Sequence, residues 1–485
     1  MELAQVLRRA GYTADGVLAR IGELGQEGLA RNVTVPAAAA LGSATDELAT
    51  LIRLFILQQP VSADDAAFLP ETPYLERADG TARALVDIRP YGSPDDGASG
   101  WAVSDLTPGM DHVTLPTRTD YVLGISSAST TLAQMTMRTP VGSALDLGTG
   151  CGVQSLHLAK HADRVVATDV NERALELAGV TAALNDVDVD FRRGSLFEPV
   201  AGERFDLIIS NPPYVMSPPS ETPLMYRETT FEGDALLRSI LRDAPQHLTP
   251  GGSLQLLVNW AVVEGTAWED RVRSWVDGSG MDLWVIERER LDKYTYIELW
   301  LTDAGLAGSD EWAPAYHRWL DYFARLGIEE VGLGWILLTD AGRDTPHLRF
   351  ETWPYQVQQP LGEVFARHRS AVDAATLPLE DLLAARPRLD DVTQETFGQP
   401  GATDPEHIVL RQAKGLRRGM KVDTVMAAIL GALDGDLTVS QVISAVAQLL
   451  DKDPAALALE VTPKLRRVFE EQYLILDATP TVGPA

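Results

Sequence analysis

Cysteine is nearly absent: Cys151 is the one thiol in 485 residues, so neither an intramolecular disulfide nor a thiolate metal cluster can form. The eight histidines are scattered without a metal-ligand spacing such as HExxH, which leaves no zinc-hydrolase signature. No run reaches the ~18 apolar residues that a membrane-spanning helix needs. The opening stretch "MELAQVLRRAGYTADG" has no apolar signal-peptide core. Basic residues are the next deficit, 41 against 69 acidic, for a formal net charge of −28. A field of that sign opposes a polyanion and argues against broad nucleic-acid binding, without forbidding a local basic groove. The expectation is a soluble, cytoplasmic, metal-free protein with no membrane partner and no feature that sets its oligomeric state. What is present is ordinary globular composition, 45% hydrophobic and 23% charged. The length predicts three or four domains of about 100–200 residues each.

The first third reads as helical and then mixed. "DELATLIRLFILQQ" (46–59) places Leu48, Leu51, Ile52, Phe55 and Ile56 at helical spacing. "VSADDAAFL" (61–69) predicts a second short helix with Ser62 as its N-cap. "RALVDIRPYG" (83–92) and "GWAVSDL" (100–106) alternate like two strands around a polar loop. Residues 1–110 are therefore expected to form a winged-helix-like module. From about residue 144, short apolar runs alternate with helical segments, the pattern of βαβ units and a parallel sheet. After 281, "MDLWVIERER", "YTYIELWL", "EVGLGWILLTD" and "HLRFETWPYQ" predict further strands, with "APAYHRWLDYFARLG" as a helix between them. This gives a domain over 111–365 and a linker or irregular lobe over 366–405. Residues 406–485 are expected to be a second winged-helix-like module.

Two motifs carry chemistry. "LDLGTGCGVQSLHLA" sets Asp146, Gly148, Gly150 and Gly152 between a strand and a helix, and Asp169 ends the next strand, 21 positions after Gly148. An acid there overhangs the crevice at the carboxyl ends of the strands, where it can accept both hydroxyl protons of a ribose. The glycines let the backbone approach a nucleoside. Their spacing, Gly148-x-Gly150-x-Gly152, departs from the G-x-G-x-x-G fingerprint and argues against NAD. The second motif, "FDLIISNPPYVMSPP" (205–219), ends an apolar strand in Asn211-Pro212-Pro213-Tyr214. The Asn211 side-chain carbonyl and the Pro212 backbone carbonyl can together accept from one planar –NH2 group. Pro212 and Pro213 fix the backbone, and Tyr214 can stack on a planar amide or base.

"DLGTGCG", "TDVNERAL" and "NPPYV" together resemble the class I S-adenosylmethionine-dependent N-methyltransferases with an Asn-Pro-Pro-Tyr motif. The likeness is nearest to the glutamine-N5 methyltransferases of peptide-chain release factors and covers roughly residues 112–300. The resemblance implies an α/β, Rossmann-like seven-stranded sheet whose last strand is antiparallel. It implies S-adenosyl-L-methionine as cofactor, contacted by Asp146, Gly148, Gly150 and Gly152, with Asp169 on the ribose. Ser195 and Leu196 fall near the adenine, where Ser195 replaces the acid common in that family. Asn211, Pro212 and Tyr214 would be the catalytic set, with Asn211 also beside the cofactor, and no metal is implied. Arg118, Asp120 and Gly124, within 115–133, fall where the family has a segment covering the cofactor.

The clamp recognises a glutamine amide and an adenine N6 amine almost equally well. A protein glutamine, with a translation factor as partner, is the first reading; an adenine-N6 reaction on RNA, or N-methylation of a small molecule or peptide, is the alternative. A non-catalytic cofactor sensor is disfavoured by the intact clamp. The polar loop 220–234, with Glu221, Tyr226, Arg227, Glu228 and Glu232, is acidic and suits a peptide or small molecule better than a phosphodiester. Pro213, Tyr226 and Arg227 are the candidate substrate contacts. The densest basic cluster is Arg411, Lys414, Arg417, Arg418 and Lys421, a phosphate-binding face if RNA is the partner.

Overall fold

The computed structural model describes residues 2–476 apart from 94, 114–116, 220–223, 229 and 401–404. It divides into two compact units, residues 1–133 with 139–354 and residues 134–138 with 355–485.

The first unit opens with helices α1 (Glu2–Arg9), α2 (Ala14–Ala30), α3 (Val35–Leu41) and α4 (Glu47–Leu51). Thr13 and Asp46 cap α2 and α4 by accepting the Gly16 and Ala49 backbone N–H groups. The apolar stripe of 46–59 continues from α4 into a π turn over Ile52–Ile56, burying Leu51, Ile52, Phe55 and Ile56. The second helix expected at 61–69 is absent. Val61–Ser62 is instead strand β1, followed by turns, and the Ser62 hydroxyl closes a turn by accepting the Asp65 N–H at 3.1 Å. Strands β2 (Leu75–Ala78) and β3 (Thr81–Ala84) complete a small sheet with β1. Strands β4 (Asp87–Gly92) and β5 (Ser99–Ser104) form a separate antiparallel ribbon.

Strands β6 (Val141–Leu147), β7 (Ala162–Asp169), β8 (Asp190–Arg193), β9 (Phe205–Ser210), β10 (Leu248–Val263), β11 (Asp282–Asp292), β12 (Ile328–Thr339) and β13 (Leu348–Thr352) form one sheet. Its order is β13-β11-β12-β10-β9-β6-β7-β8. Strands β6 to β10 are mutually parallel, and β12 runs antiparallel to both β10 and β11. The count is eight, not the expected seven, because β13 pairs parallel with β11 and covers that otherwise open edge. Gly332 and Gly334 in β12 make room for a buried indole: a Cβ on either would fall within 3 Å of the Trp260 ring.

Helices α5 (Ser127–Met135), α6 (Val153–Leu158), α7 (Glu172–Asn185), α8 (Ala235–Asp243), α9 (Trp268–Ser274), α10 (Lys293–Asp303) and α11 (Trp312–Leu326) accompany the sheet. "YTYIELWL" is not the strand its β-branched and aromatic content suggested. Asp292 caps it by accepting the Tyr294 and Thr295 N–H groups, and the buried Tyr296, Ile297 and Leu301 follow helical spacing. Helices α10 and α11 thus form an insertion between β11 and β12. The β4–β5 ribbon is docked on α7: Asn185 Oδ1 accepts the Trp101 N–H and Thr181 Oγ1 the Val103 N–H, both at 2.9 Å. Asp105, just past β5, accepts from Arg173 Nε at 2.8 Å and from the Val122 N–H at 2.9 Å. One carboxylate therefore ties ribbon, α7 and the 117–125 segment together.

The second unit contains α12 (Gly362–Thr376), α13 (Leu379–Ala384), β14 (Arg388–Leu389), β15 (Val392–Phe397), β16 (His407–Gln412), β17 (Gly419–Val422), α14 (Thr424–Gly431), α15 (Val439–Leu449), α16 (Pro454–Glu470) and β18 (Leu474–Ile475). The linker expected over 366–405 is folded in its described part: α12, α13, β14 and β15 lie in it. Ala374, Ala375 and Leu382 share a core with Leu430, Ile443, Leu465 and Phe469. Small alanines, not polar character, decide the packing there.

Candidate functional site

The carboxyl ends of β6, β7 and β9 converge on a cleft of about 330 Å³. Beyond β6 the chain turns through Gly148 (φ 80) and Gly150 (φ 55), left-handed positions that favour glycine. A Cβ on either would meet nothing within 4 Å, so the loop lies open towards the cleft. Gly152 differs: a Cβ there would stand 3.1 Å from the Ala178 Cβ. It is absent from the cleft lining, and its smallness serves the packing of α6 on α7, a correction to its expected cofactor contact.

Asp169 is the hinge of this loop. Its Oδ2 accepts the Gly150 N–H at 3.0 Å and its Oδ1 the Asn171 N–H at 2.9 Å. Burial raises its pKa from the ordinary carboxylate value, and these backbone donors oppose the rise. Asp146 is 1% exposed, and one of its oxygens accepts from Thr149 Oγ1 and Ser155 Oγ, each at 2.7 Å. Burial pushes its pKa up to about 6, against the pull of those two hydroxyls. The lone Cys151 lines the same cleft, but burial raises its thiol to about 11, which removes it as a nucleophile at neutral pH.

Across the cleft stand Asn211, Pro212 and Pro213, following directly on β9. The Asn211 side-chain carbonyl is buried, with no donor among the described residues. Among the described residues nothing donates to the Pro212 carbonyl either. The buried Asn211 acceptor without a donor is costly unless a ligand supplies the proton.

Ser195 and Leu196 also line the cleft, as do Tyr226 and Gly124. Tyr214 does not. Its ring packs at 6.5 Å from Trp300 in the aromatic cluster of α10, so the expected stacking role is corrected. Tyr226, Tyr121 and Phe231 are the aromatic residues at the cleft among those described, the first two edge to face at 5.5 Å. Tyr121 was legible as the one aromatic residue of 115–133. Arg227 also stays off the lining. It is a buried anchor, with Nη1 2.5 Å from Asp303 Oδ2 and Nη2 3.1 Å from Glu228 Oε1. Arg118 and Asp120 pair with each other at 2.8 Å and do not reach the cleft. Leu115 and Glu221, within the segments singled out by sequence, lie outside the described residues.

Residues 124–270 match the methyltransferase small domain. S-adenosylmethionine is the cofactor of this methyltransferase segment, and the residues present suit it. Two glycines leave the loop open, Asp169 offers a carboxylate at the end of β7, and Asn211 lines the same cleft. Residues 9–84 match a domain of unknown function (DUF7059).

The methyltransferase segment is 40% identical over 128 residues to a ribosomal protein uL3 glutamine methyltransferase of Bradyrhizobium diazoefficiens, covering 24% of this chain and 40% of that one. A release factor glutamine methyltransferase of Xylella fastidiosa is also 40% identical over 128 residues, covering 24% and 46%. A ribosomal RNA small subunit methyltransferase C of Salmonella arizonae is 37% identical over 120 residues, covering 24% and 31%. The chain spans less than half the length of these curated relatives.

Proposed function

We propose that this chain is an S-adenosylmethionine-dependent N-methyltransferase of a planar amino nitrogen, with a protein side-chain glutamine amide as acceptor. The observation that carries the reading is the Asn211 side-chain carbonyl, buried without a donor beside the cofactor cleft. When bound, S-adenosylmethionine supplies a sulfonium methyl carbon as the electrophile. Asn211 Oδ1 and the Pro212 carbonyl accept the two N–H groups of the acceptor, fixing its plane and enriching its nitrogen, and one of those two protons leaves to solvent as the nitrogen takes the methyl. Pro212 and Pro213 hold those acceptors rigid, so orientation rather than a strong base carries the rate. Asp169 holds the Gly150 loop in shape and offers its carboxylate to ribose hydroxyls. Two relatives named as glutamine methyltransferases support the amide acceptor and, with it, a cytoplasmic partner from the translation machinery.

An RNA amine is the second reading, favoured by the relative named as a ribosomal RNA methyltransferase. The basic cluster supports it weakly, because Arg411 is paired with Glu395 and Lys414 with Asp391. We read the α14–α16 and β18 elements as a winged-helix-like recruiting module for a protein partner.

Labelled cofactor incubated with fractionated cell extract tests the assignment: label is expected in protein, with little response to salt. Label confined to RNA, falling steeply as salt rises, would replace the amide reading with the RNA one.

A further inference from the structure

A second cavity, of about 390 Å³, adjoins the donor cleft and shares Tyr121, Leu123, Gly124 and Tyr226 with it. Its remaining wall comes largely from outside residues 124–270: Asp87 and Arg89 of β4, Ser104 of β5, and Asp303 at the end of α10.

Two of these side chains are half used. Asp87 is 2% exposed and takes one edge of the Arg89 guanidinium, at 2.7 Å from Nη2 and 3.5 Å from Nε. That grip fixes the orientation of Arg89, whose side chain is still 36% exposed, and no described residue takes its Nη1 edge. Asp303 gives Oδ2 to Arg227 at 2.5 Å and is 47% exposed. Its other oxygen has no described partner. A rigid donor and a rigid acceptor therefore border one polar chamber beside the reaction site. Phosphate is a poor match, because the described ionisable lining holds two carboxylates to one guanidinium, and that guanidinium is already paired.

We propose that this cavity seats the main-chain unit of an amino-acid acceptor. Its carbonyl or carboxylate oxygen meets Arg89 and its N–H or ammonium meets Asp303, while the side-chain amide reaches Asn211. The inference rests on the amide-acceptor reading above and adds where selectivity arises. The same chemistry has two sources, a residue within a peptide and a free amino acid.

The test uses full-length protein saturated with S-adenosylhomocysteine and three calorimetric probes: N-acetyl-glutamine methylamide, free L-glutamine and butyramide. One of the first two is expected to bind about tenfold or more tighter than butyramide, and which one does so distinguishes peptide from free amino acid. Arg89→Lys and Asp303→Asn are expected to shrink that gap to about twofold while binding S-adenosylhomocysteine as the wild type does. Arg89→Lys keeps Asp87 paired with a cation, and Asp303→Asn leaves Arg227 its contact with Glu228, so both variants are expected to fold. Equal binding of all three probes, binding of none, or an unchanged gap in both variants would overturn the proposal. With S-adenosylmethionine in place of S-adenosylhomocysteine, an intact binding preference without methyl transfer to any probe would instead sink the amide-acceptor reading.

Discussion

Gly150 donates its backbone N–H to Asp169 Oδ2 at 3.0 Å, so the glycine loop after β6 and the acid ending β7 act as one element. Asp169→Ala removes the loop's acceptor and the carboxylate proposed for the ribose together. A hydrogen bond to a charged group contributes roughly 1.5–3 kcal/mol, so cofactor affinity is expected to fall about 10- to 100-fold. Calorimetry with S-adenosylhomocysteine measures it; an unchanged affinity would remove Asp169 from the site.

Asn211→Ala deletes one of the two carbonyls without touching the glycine loop. Methyl transfer is expected to drop by about 100-fold or more, the scale for losing a preorganised polar contact, with cofactor affinity within about threefold. Single-turnover transfer from labelled cofactor is the readout, and retained turnover would refute the clamp.

Arg227 is 8% exposed and joins Asp303 to Glu228. Arg227→Leu leaves both carboxylates without that partner, at a cost on the order of 3 kcal/mol for breaking a buried pair. The urea midpoint is expected to fall accordingly. Because Arg227 lies off the lining, KM for the acceptor should rise more than cofactor affinity falls.

Burial pushes the Asp146 carboxyl up to about 6, against an ordinary carboxylate value of 3.8. The folded state therefore holds the extra proton between those values, and stability from this group is lost as pH rises through about 6. At ~1.4 kcal/mol per unit, the loss is roughly 3 kcal/mol. Asp146→Asn, which keeps an acceptor for Thr149 and Ser155, is expected to lack this slope. Urea unfolding of both proteins across that pH range decides it, and parallel curves would contradict the assignment.

The donor half of the site was legible because its constraints are local. Gly148 and Gly150 need left-handed backbone, Asp169 must end a strand, and Asn211-Pro212 must follow one. The acceptor half was not, because its residues are brought together by tertiary packing. Nothing near Arg89 or Asp303 in sequence marks them as neighbours of Tyr226. Tyr214 misled for a related reason: its partner, Trp300, belongs to a helix whose aromatic, β-branched composition imitates a strand. Gly152 shows that one motif can serve two purposes, since its first glycines open towards the cleft while its last admits Ala178.

The insertion of α10 and α11 between β11 and β12 has an evolutionary consequence. Handling of the methyl donor is encoded in one continuous stretch, whereas the chamber beside it is stitched together from β4, β5 and that insertion. The two halves can thus diversify at different tempos. If the chamber seats the acceptor as proposed, a transplanted 124–270 segment would keep its donor cleft but inherit the appetite of its host.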